Sequence, residues 1–280
     1  MTTPPNGAAL SAAEALVLQN PDLNQGRQAF KLTLMELLAR KLITLRHEEQ
    51  RLSFGRTRKT DYLQISSDAQ TRVAGSPAFG AALAAVAQAR AKGADATIPQ
   101  VVQQARKSFG SDLGKFQSEQ IIPALISRGL IEQYTKKRLG LFNTTRYRPT
   151  AAGETLRQEI TGHLSQARAL PSMVDHDPAS AAALIATLGS TVLLVDELKP
   201  HYGRISQALN AGQGGDGGFD SFDSDDSSFD GFDALGDSFD FDLSAFDALD
   251  SSLDAFDSSF DSADSGSDGG DGGDGGGGGD

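Results

Sequence analysis

The chain has no cysteine and no tryptophan, and only four tyrosines in 280 residues. Without thiols there is neither a disulfide framework nor a thiolate metal site. No apolar run reaches the roughly 18 residues of a spanning helix, so any membrane contact is expected to be peripheral, and the absence of thiols fits a reducing, cytoplasmic setting. The opening "MTTPPNGAALSAAEALVLQNPD" has no basic cluster before its apolar run, and no secretory signal is expected there. Catalytic signatures are missing too. His47, His163, His176 and His201 are scattered, and there is neither a Gly-Lys-Ser/Thr phosphate cradle nor a Gly-x-Gly-x-x-Gly turn after a strand. "DHD", Asp175 to Asp177, reads as a cap ahead of Pro178 rather than a metal site. "GGDGGDGGGGGD" lacks the ligand spacing of a calcium loop. The expectation is a protein that is not an enzyme, with no catalytic residues, metal or cofactor.

Charge is segregated. From Ala211 to Asp280 there are 20 Asp and no Glu, Lys or Arg. Residues 1–210 hold all 25 basic residues against 17 of the 37 acids, so they carry about +8. A basic body implies an anionic partner: nucleic acid, an acidic membrane, or the tail itself. The tail also holds nine of the 15 phenylalanines, each followed by aspartate. Their irregular spacing makes neither a helical face nor a strand, and nothing beyond Gly212 is expected to pack. Gly, Ser and Asp in this proportion give a disordered segment with aromatic side chains that stick. It is either an interaction tail, contacting the chain's own basic face or a basic partner protein, or a solubilising tail without a partner.

Helical periodicity, caps and breakers divide the rest. Ser11 and Glu14 form a capping-box pattern for a helix over 12–19. "RQAFKLTLMELLAR" predicts a helix over about 27–40, with Phe30, Leu34, Leu37 and Leu38 on one face. "LITLRHEEQRLSF" reads as a hairpin around a charged turn, and "DYLQIS" as an added strand. Ser76 and Pro77 open a helix that Gly93 closes, Thr97 caps the next, and a third over about 115–128 ends at Gly129. "LIEQYT" and "FNTTRYR" are two strands. Thr150 opens "AAGETLRQEITGHLSQARAL", Asp177 and Pro178 cap "ASAAALIATLGSTVLLVDEL", and a short helix over about 201–209 ends the fold. The fold class is mainly α: a flexible start (1–9), a single helical domain with small β-hairpins (10–210), and a disordered acidic C-terminal tail (211–280).

The stretch "KKRLGLFNTTRYRPTAAGE", residues 136–154, is the most informative. Lys136, Lys137, Arg138, Arg146 and Arg148 flank Leu139, Leu141 and Phe142, with no acid until Glu154. Each of those three apolar side chains gains about 1.5–3 kcal/mol when fully buried. Each nearby cation adds about 1 kcal/mol against an anionic surface. Membrane contact, self-association and packing on the same domain all remain open for this hairpin. A winged-helix reading also survives: three helices, then a hairpin with basic arms, would make a DNA-binding regulator whose acidic tail competes with DNA. The start of the third helix, "KFQSEQ", is a poor groove-reading surface, so nucleic acid ranks second.

"GRQAFKLTLMELLARKLITL", a helical middle, "ALISRGLIEQYTKKRLGLFNTTRYRPT" and "DPASAAALIATLGSTVLL" together resemble the Golgi phosphoprotein 3 family, over roughly residues 10–210. The hairpin with its "LGLF" tip is the most specific piece. The resemblance implies a mostly helical domain and a peripheral membrane adaptor binding anionic lipid, with phosphatidylinositol 4-phosphate the ligand of eukaryotic members. It also implies a hairpin tied to membrane contact and homo-oligomer formation, here Lys136, Lys137, Arg138, Leu139, Leu141 and Phe142. Of the family's head-group residues, its Trp has no counterpart. One Arg position falls near Phe30, one on Lys115 and one on Ser118. Lys115 keeps the charge, and Arg27, one turn before Phe30, is the candidate substitute; these two are the head-group candidates.

Overall fold

The computed structural model describes residues 10–51, 57–73, 75–90, 95–138, 142–205 and 258–260. Helix α1 (Ala12–Gln19) starts as its capping box requires: the Glu14 N–H donates to Ser11 Oγ at 3.2 Å and the Ser11 N–H to Glu14 Oε2 at 2.9 Å. Helix α2 (Gly26–Ala39) is the centre of the molecule, with every residue from Ala29 to Ala39 buried. A helix enclosed on all sides must satisfy its polar side chains internally. Thr33 Oγ1 donates back to the Ala29 carbonyl at 2.8 Å. Glu36 Oε2 accepts the Ala12 N–H at 2.8 Å, tying the start of α1 to the end of α2.

The first hairpin differs from expectation. The charged "RHEE" is not a turn but the middle of one long strand, β1 (Ile43–Arg51), which pairs antiparallel with β2 (Thr57–Ile65). Cross-strand complementarity allows this: His47 lies opposite Asp61 and Glu49 opposite Lys59 in the register. His47 Nδ1 and Asp61 Oδ1 are 2.7 Å apart. After the short α3 (Ala69–Arg72) comes α4 (Pro77–Ala89), capped by Ser76, whose Oγ accepts the Phe79 N–H at 3.4 Å. It ends before Gly93, which lies outside the described residues. Strand β3 (Ala96–Thr97) joins β2, completing a sheet of order β1-β2-β3, and Thr97 caps α5 (Ile98–Phe109).

The helix expected over 115–128 is three pieces: α6 (Gly114–Phe116), a π-turn (Gln117–Ile121) and α7 (Ile122–Ser127). Pro123 explains the break. It has no N–H to give the carbonyl four residues back, and its ring pushes that carbonyl away, which a wider π-turn accommodates. Strands β4 (Ile131–Arg138) and β5 (Phe142–Pro149) form a separate two-stranded sheet.

Helix α8 (Ala151–Ala167) is capped by Thr150, whose Oγ1 accepts the Gly153 N–H at 3.1 Å. It stops short of Leu170, because Pro171 restarts the chain as α9 (Leu170–His176). Asp177 caps α10 (Pro178–Leu188) through the Ser180 N–H at 3.1 Å. That helix does not run on to Leu198. Gly189 (φ 53) turns the backbone into the left-handed region, and two 3₁₀ segments follow, Gly189–Leu194 and Asp196–His201. The terminal helix is described only to Ile205, and the rest of 201–209 lies outside the described residues.

The core runs unbroken from α1, α2, α4 and α5 to the 3₁₀ segments, where Val192, Leu193 and Leu198 are buried, and to Tyr202 just after them. One residue departs from the expectation that nothing beyond Gly212 packs: Phe260 is 6% exposed and belongs to this core. A phenylalanine needs no periodic neighbours to anchor singly, because its own apolar area is worth about 1.5–3 kcal/mol.

Candidate anion-binding face and hairpin

The start of α2 is pressed against the loop that leads into α6. A Cβ on Gly26 would lie 2.1 Å from the Leu113 carbonyl oxygen, so only glycine permits this approach. Leu113 itself is left-handed (φ 55). Gln117, buried in the π-turn, stitches the junction: its Oε1 accepts the Gln25 N–H at 2.6 Å and its Nε2 donates to the Leu23 carbonyl at 2.8 Å. The Gly26 N–H is taken by Asn24 Oδ1 at 3.2 Å. The Gln25 and Gly26 N–H groups thus serve the protein's own joint.

Arg27 reaches across that joint. Its guanidinium donates to the Ser111 carbonyl at 3.5 Å, where Arg106 Nε also donates at 3.0 Å. The residue after Ser111, Asp112, has its carboxyl held below the ordinary range. The Gly114 N–H is the main cause, the Asn24 amide adds to it, and the Arg27 charge contributes further. Lys115 follows three residues on and is exposed. The two head-group candidates therefore sit on elements that pack together, α2 and α6. Ser118 is exposed nearby, and its hydroxyl donates to the Lys115 carbonyl at 3.4 Å. Phe30 does not face an anion: it is buried, and its ring meets Phe116 edge-on at 5.1 Å.

Arg27 also lines a cavity of about 350 Å³. Lys31, Leu32 and Met35 from α2 share it with Leu193, Asp196 and Lys199 from the 3₁₀ segments, and Phe260 forms part of its wall. Lys31, Arg106, Lys199 and Phe260 were not singled out in the sequence. Lys31 was legible, one turn after Arg27. Lys199 and Phe260 come from distant segments, and no local pattern could have joined them.

The hairpin's basic residues divide into two groups. At the base, Arg146 lies 3.8 Å from Asp22, and Arg148 pairs with Glu132 at 2.7 Å while lying over the Tyr134 ring. Asp22 Oδ1 also accepts the Tyr147 N–H at 2.7 Å. Toward the tip, Lys136 is exposed, and Lys137 and Arg138 pair in register with Asn143 and Phe142. Leu139 and Leu141 lie outside the described residues. A winged-helix domain would add its first strand to the wing. Here β3 pairs with β2, β4–β5 stands alone, and the would-be recognition helix is interrupted at Pro123. Among the described residues, no helix is long and apolar enough to cross a membrane.

Neither the curated proteins nor the solved structures compared gave a match. The family model described as Golgi phosphoprotein 3 (GPP34) matches residues 33–213, a span that takes in Lys115 and the whole β4–β5 hairpin and leaves outside it Arg27 and all but the first three residues of the acidic tail. With well over half of its length matched, and with the helical body and hairpin in the expected order, the chain belongs to the Golgi phosphoprotein 3 (GPP34) family.

Proposed function

We propose that this protein is a non-catalytic, adaptor-type peripheral protein that docks on anionic lipid at a cytoplasmic membrane surface. The observation that carries this reading is the double placement of Arg27: it bonds across to the loop bearing Lys115 and lines the cavity shared with Lys31 and Lys199. Cations from α2 and a 3₁₀ segment line one cavity, with Lys115 on the adjoining α6, and such a set suits a phosphate-bearing head group, for which arginine supplies a planar fork. Family membership supports a phosphoinositide, phosphatidylinositol 4-phosphate foremost. The absent Trp and the lysine and serine at the two later Arg positions support a broader preference for anionic lipid. The hairpin would add the second contact, with Lys136, Lys137 and Arg138 at the head-group level and Leu139, Leu141 and Phe142 below it, and the same tip would serve self-association. Two weak signals together give stable but reversible anchoring.

Flotation of the full chain tests this, with vesicles of neutral lipid alone, with phosphatidylserine, or with phosphatidylinositol 4-phosphate. Binding is expected to both anionic compositions and to weaken with salt. Arg27→Glu and Lys115→Glu should each reduce it, more on the phosphoinositide vesicles than on phosphatidylserine. Equal binding to neutral vesicles would overturn the reading. A mobility shift with duplex DNA, absent from the vesicle-binding salt range, separates it from a nucleic-acid role.

A further inference from the structure

Phe260 reaches the Arg27 cavity from the far end of the acidic tail, and its surroundings there are of two kinds. Leu32, Met35 and Leu193 give an apolar wall, while Arg27, Lys31 and Lys199 are cationic. The single acid on the wall, Asp196, is engaged by Lys199 at 2.6 Å. The tail matches both halves. Each of its nine phenylalanines is followed by aspartate, and it has 20 Asp and no basic residue. A ring suits the apolar wall, and a carboxylate one residue further on, within about 3.8 Å of chain, is within range of the cations.

We propose that this cavity is a receptor for the Phe-Asp pairs of the chain's own tail. Phe260 is the ring seated in this structure, and the other eight pairs compete for the same place. A single pair offers little binding energy, since it is one ring and one carboxylate. The tether compensates, because covalent attachment through a Gly-rich sequence gives each pair an effective concentration approaching the millimolar range. The nearest pair, at Phe219, lies 14 residues beyond Ile205. A Gly-rich linker of that length has a root-mean-square span of about 20 Å, and Lys199 on the cavity wall is close to Ile205 along the chain. Nine copies then multiply occupancy without any one pair being tight. Irregular spacing suits a site that takes one pair at a time. Because Arg27 belongs both to this cavity and to the proposed lipid face, a seated pair and an anionic surface compete for it; the receptor itself does not depend on the lipid reading.

The chain has no tryptophan, so Phe260→Trp in the full-length protein creates a single tryptophan, which is excited selectively at wavelengths that tyrosine does not absorb. The expected result at low salt is blue-shifted emission and a several-fold lower acrylamide quenching constant than a free tryptophan peptide. Both should be independent of protein concentration. Arg27→Glu with Lys199→Glu in that background should move emission back toward the solvent value while far-ultraviolet circular dichroism stays unchanged. Phe219→Trp in an otherwise native chain should be partly shielded, and more so once Phe260→Ser empties the site. Solvent-like emission of Phe260→Trp in a folded chain overturns the receptor. Shielding lost on dilution overturns it in favour of exchange between two copies. Phe219→Trp that stays exposed beside Phe260→Ser overturns the competition among pairs. Indifference to the charge reversals overturns the role of the cations. Vesicle binding does not enter any of these readouts, so failure of the lipid reading leaves the result intact.

Discussion

The Glu36 carboxylate meets the Arg40 guanidinium at 2.6 Å, one turn along α2, while Glu36 itself is shut off from water. Arg40 is partly exposed and lies over the Phe79 ring at 5.2 Å. The carboxylate's other oxygen holds the Ala12 N–H at 2.8 Å, so one buried acid joins α1, α2 and, through Arg40, α4.

Replacing it should therefore cost more than an ion pair at the surface. Glu36→Ala strands the Ala12 N–H and removes the Glu36 carboxylate from Arg40, and breaking one side of such a buried pair costs about 3–5 kcal/mol. Arg40's exposure places the expected loss at the lower end. Urea unfolding followed by circular dichroism measures it. A loss no larger than that of an exposed pair would show that the helices are held without this contact.

Burial raises the Glu36 carboxyl above its ordinary value of 4.5, against the lowering pull of Arg40. A raised value means that the folded state holds this proton more tightly than the unfolded chain does. The group's contribution is then fully present below the unfolded value and is lost as pH climbs through the folded one. Glu36→Gln keeps the shape and does not titrate. The stability of the native chain minus that of Glu36→Gln should fall as pH rises from about 4 toward 7, measured by urea midpoints. A difference that rises with pH would mean that Arg40 outweighs burial.

Gly26→Ala places a methyl where the Leu113 carbonyl oxygen already stands, at 2.1 Å. Backbone must move, at a cost of about 1–3 kcal/mol. The displaced 111–114 loop carries the partner of Arg27 and leads to Lys115. Anionic vesicle binding by the folded fraction should weaken along with thermal stability. A variant with lowered melting temperature and unchanged binding would separate the joint from the binding face.

Leu141 and Phe142 supply the hairpin's apolar tip in the proposed membrane contact. Changing both to Ser removes about 1.4 kcal/mol or more of partial insertion, hence at least about a tenfold loss of affinity for anionic vesicles. Sedimentation equilibrium on the same variant reads self-association separately. Unchanged vesicle binding with a smaller oligomer would assign the tip to self-association alone.

The elements with local signals were legible: the Ser11, Ser76, Thr97, Thr150 and Asp177 caps each begin the helix expected of them. Failures came where distant partners decide. "RHEE" reads as a turn until Asp61 and Lys59 are known to lie opposite. Pro123 sits in an otherwise helical pattern, and only packing shows that the chain carries on through a π-turn rather than stopping. Arg27 and Lys115 could be named as candidates, but not their link through Ser111. The Phe260 cavity unites residues more than 200 positions apart, with no motif in common.

The six residues between α1 and α2 touch two neighbours that do not touch the same function. Asp22 grips the hairpin base at Tyr147, while Leu23, Asn24 and Gln25 bond to Gln117 and Asp112. The hairpin is an arm: eight residues a strand at about 3.3 Å each gives a reach of about 26 Å. Its foot is set hard against α8 as well, since a Cβ on Gly153 would strike the Leu130 carbonyl oxygen at 1.9 Å. A load on the far end of such an arm arrives at its foot as torque. The Asn20–Gln25 segment hydrogen-bonds to both the hairpin foot and the 111–117 strip, so it fixes the bearing of the arm relative to the strip that holds the Ser111 carbonyl against Arg27.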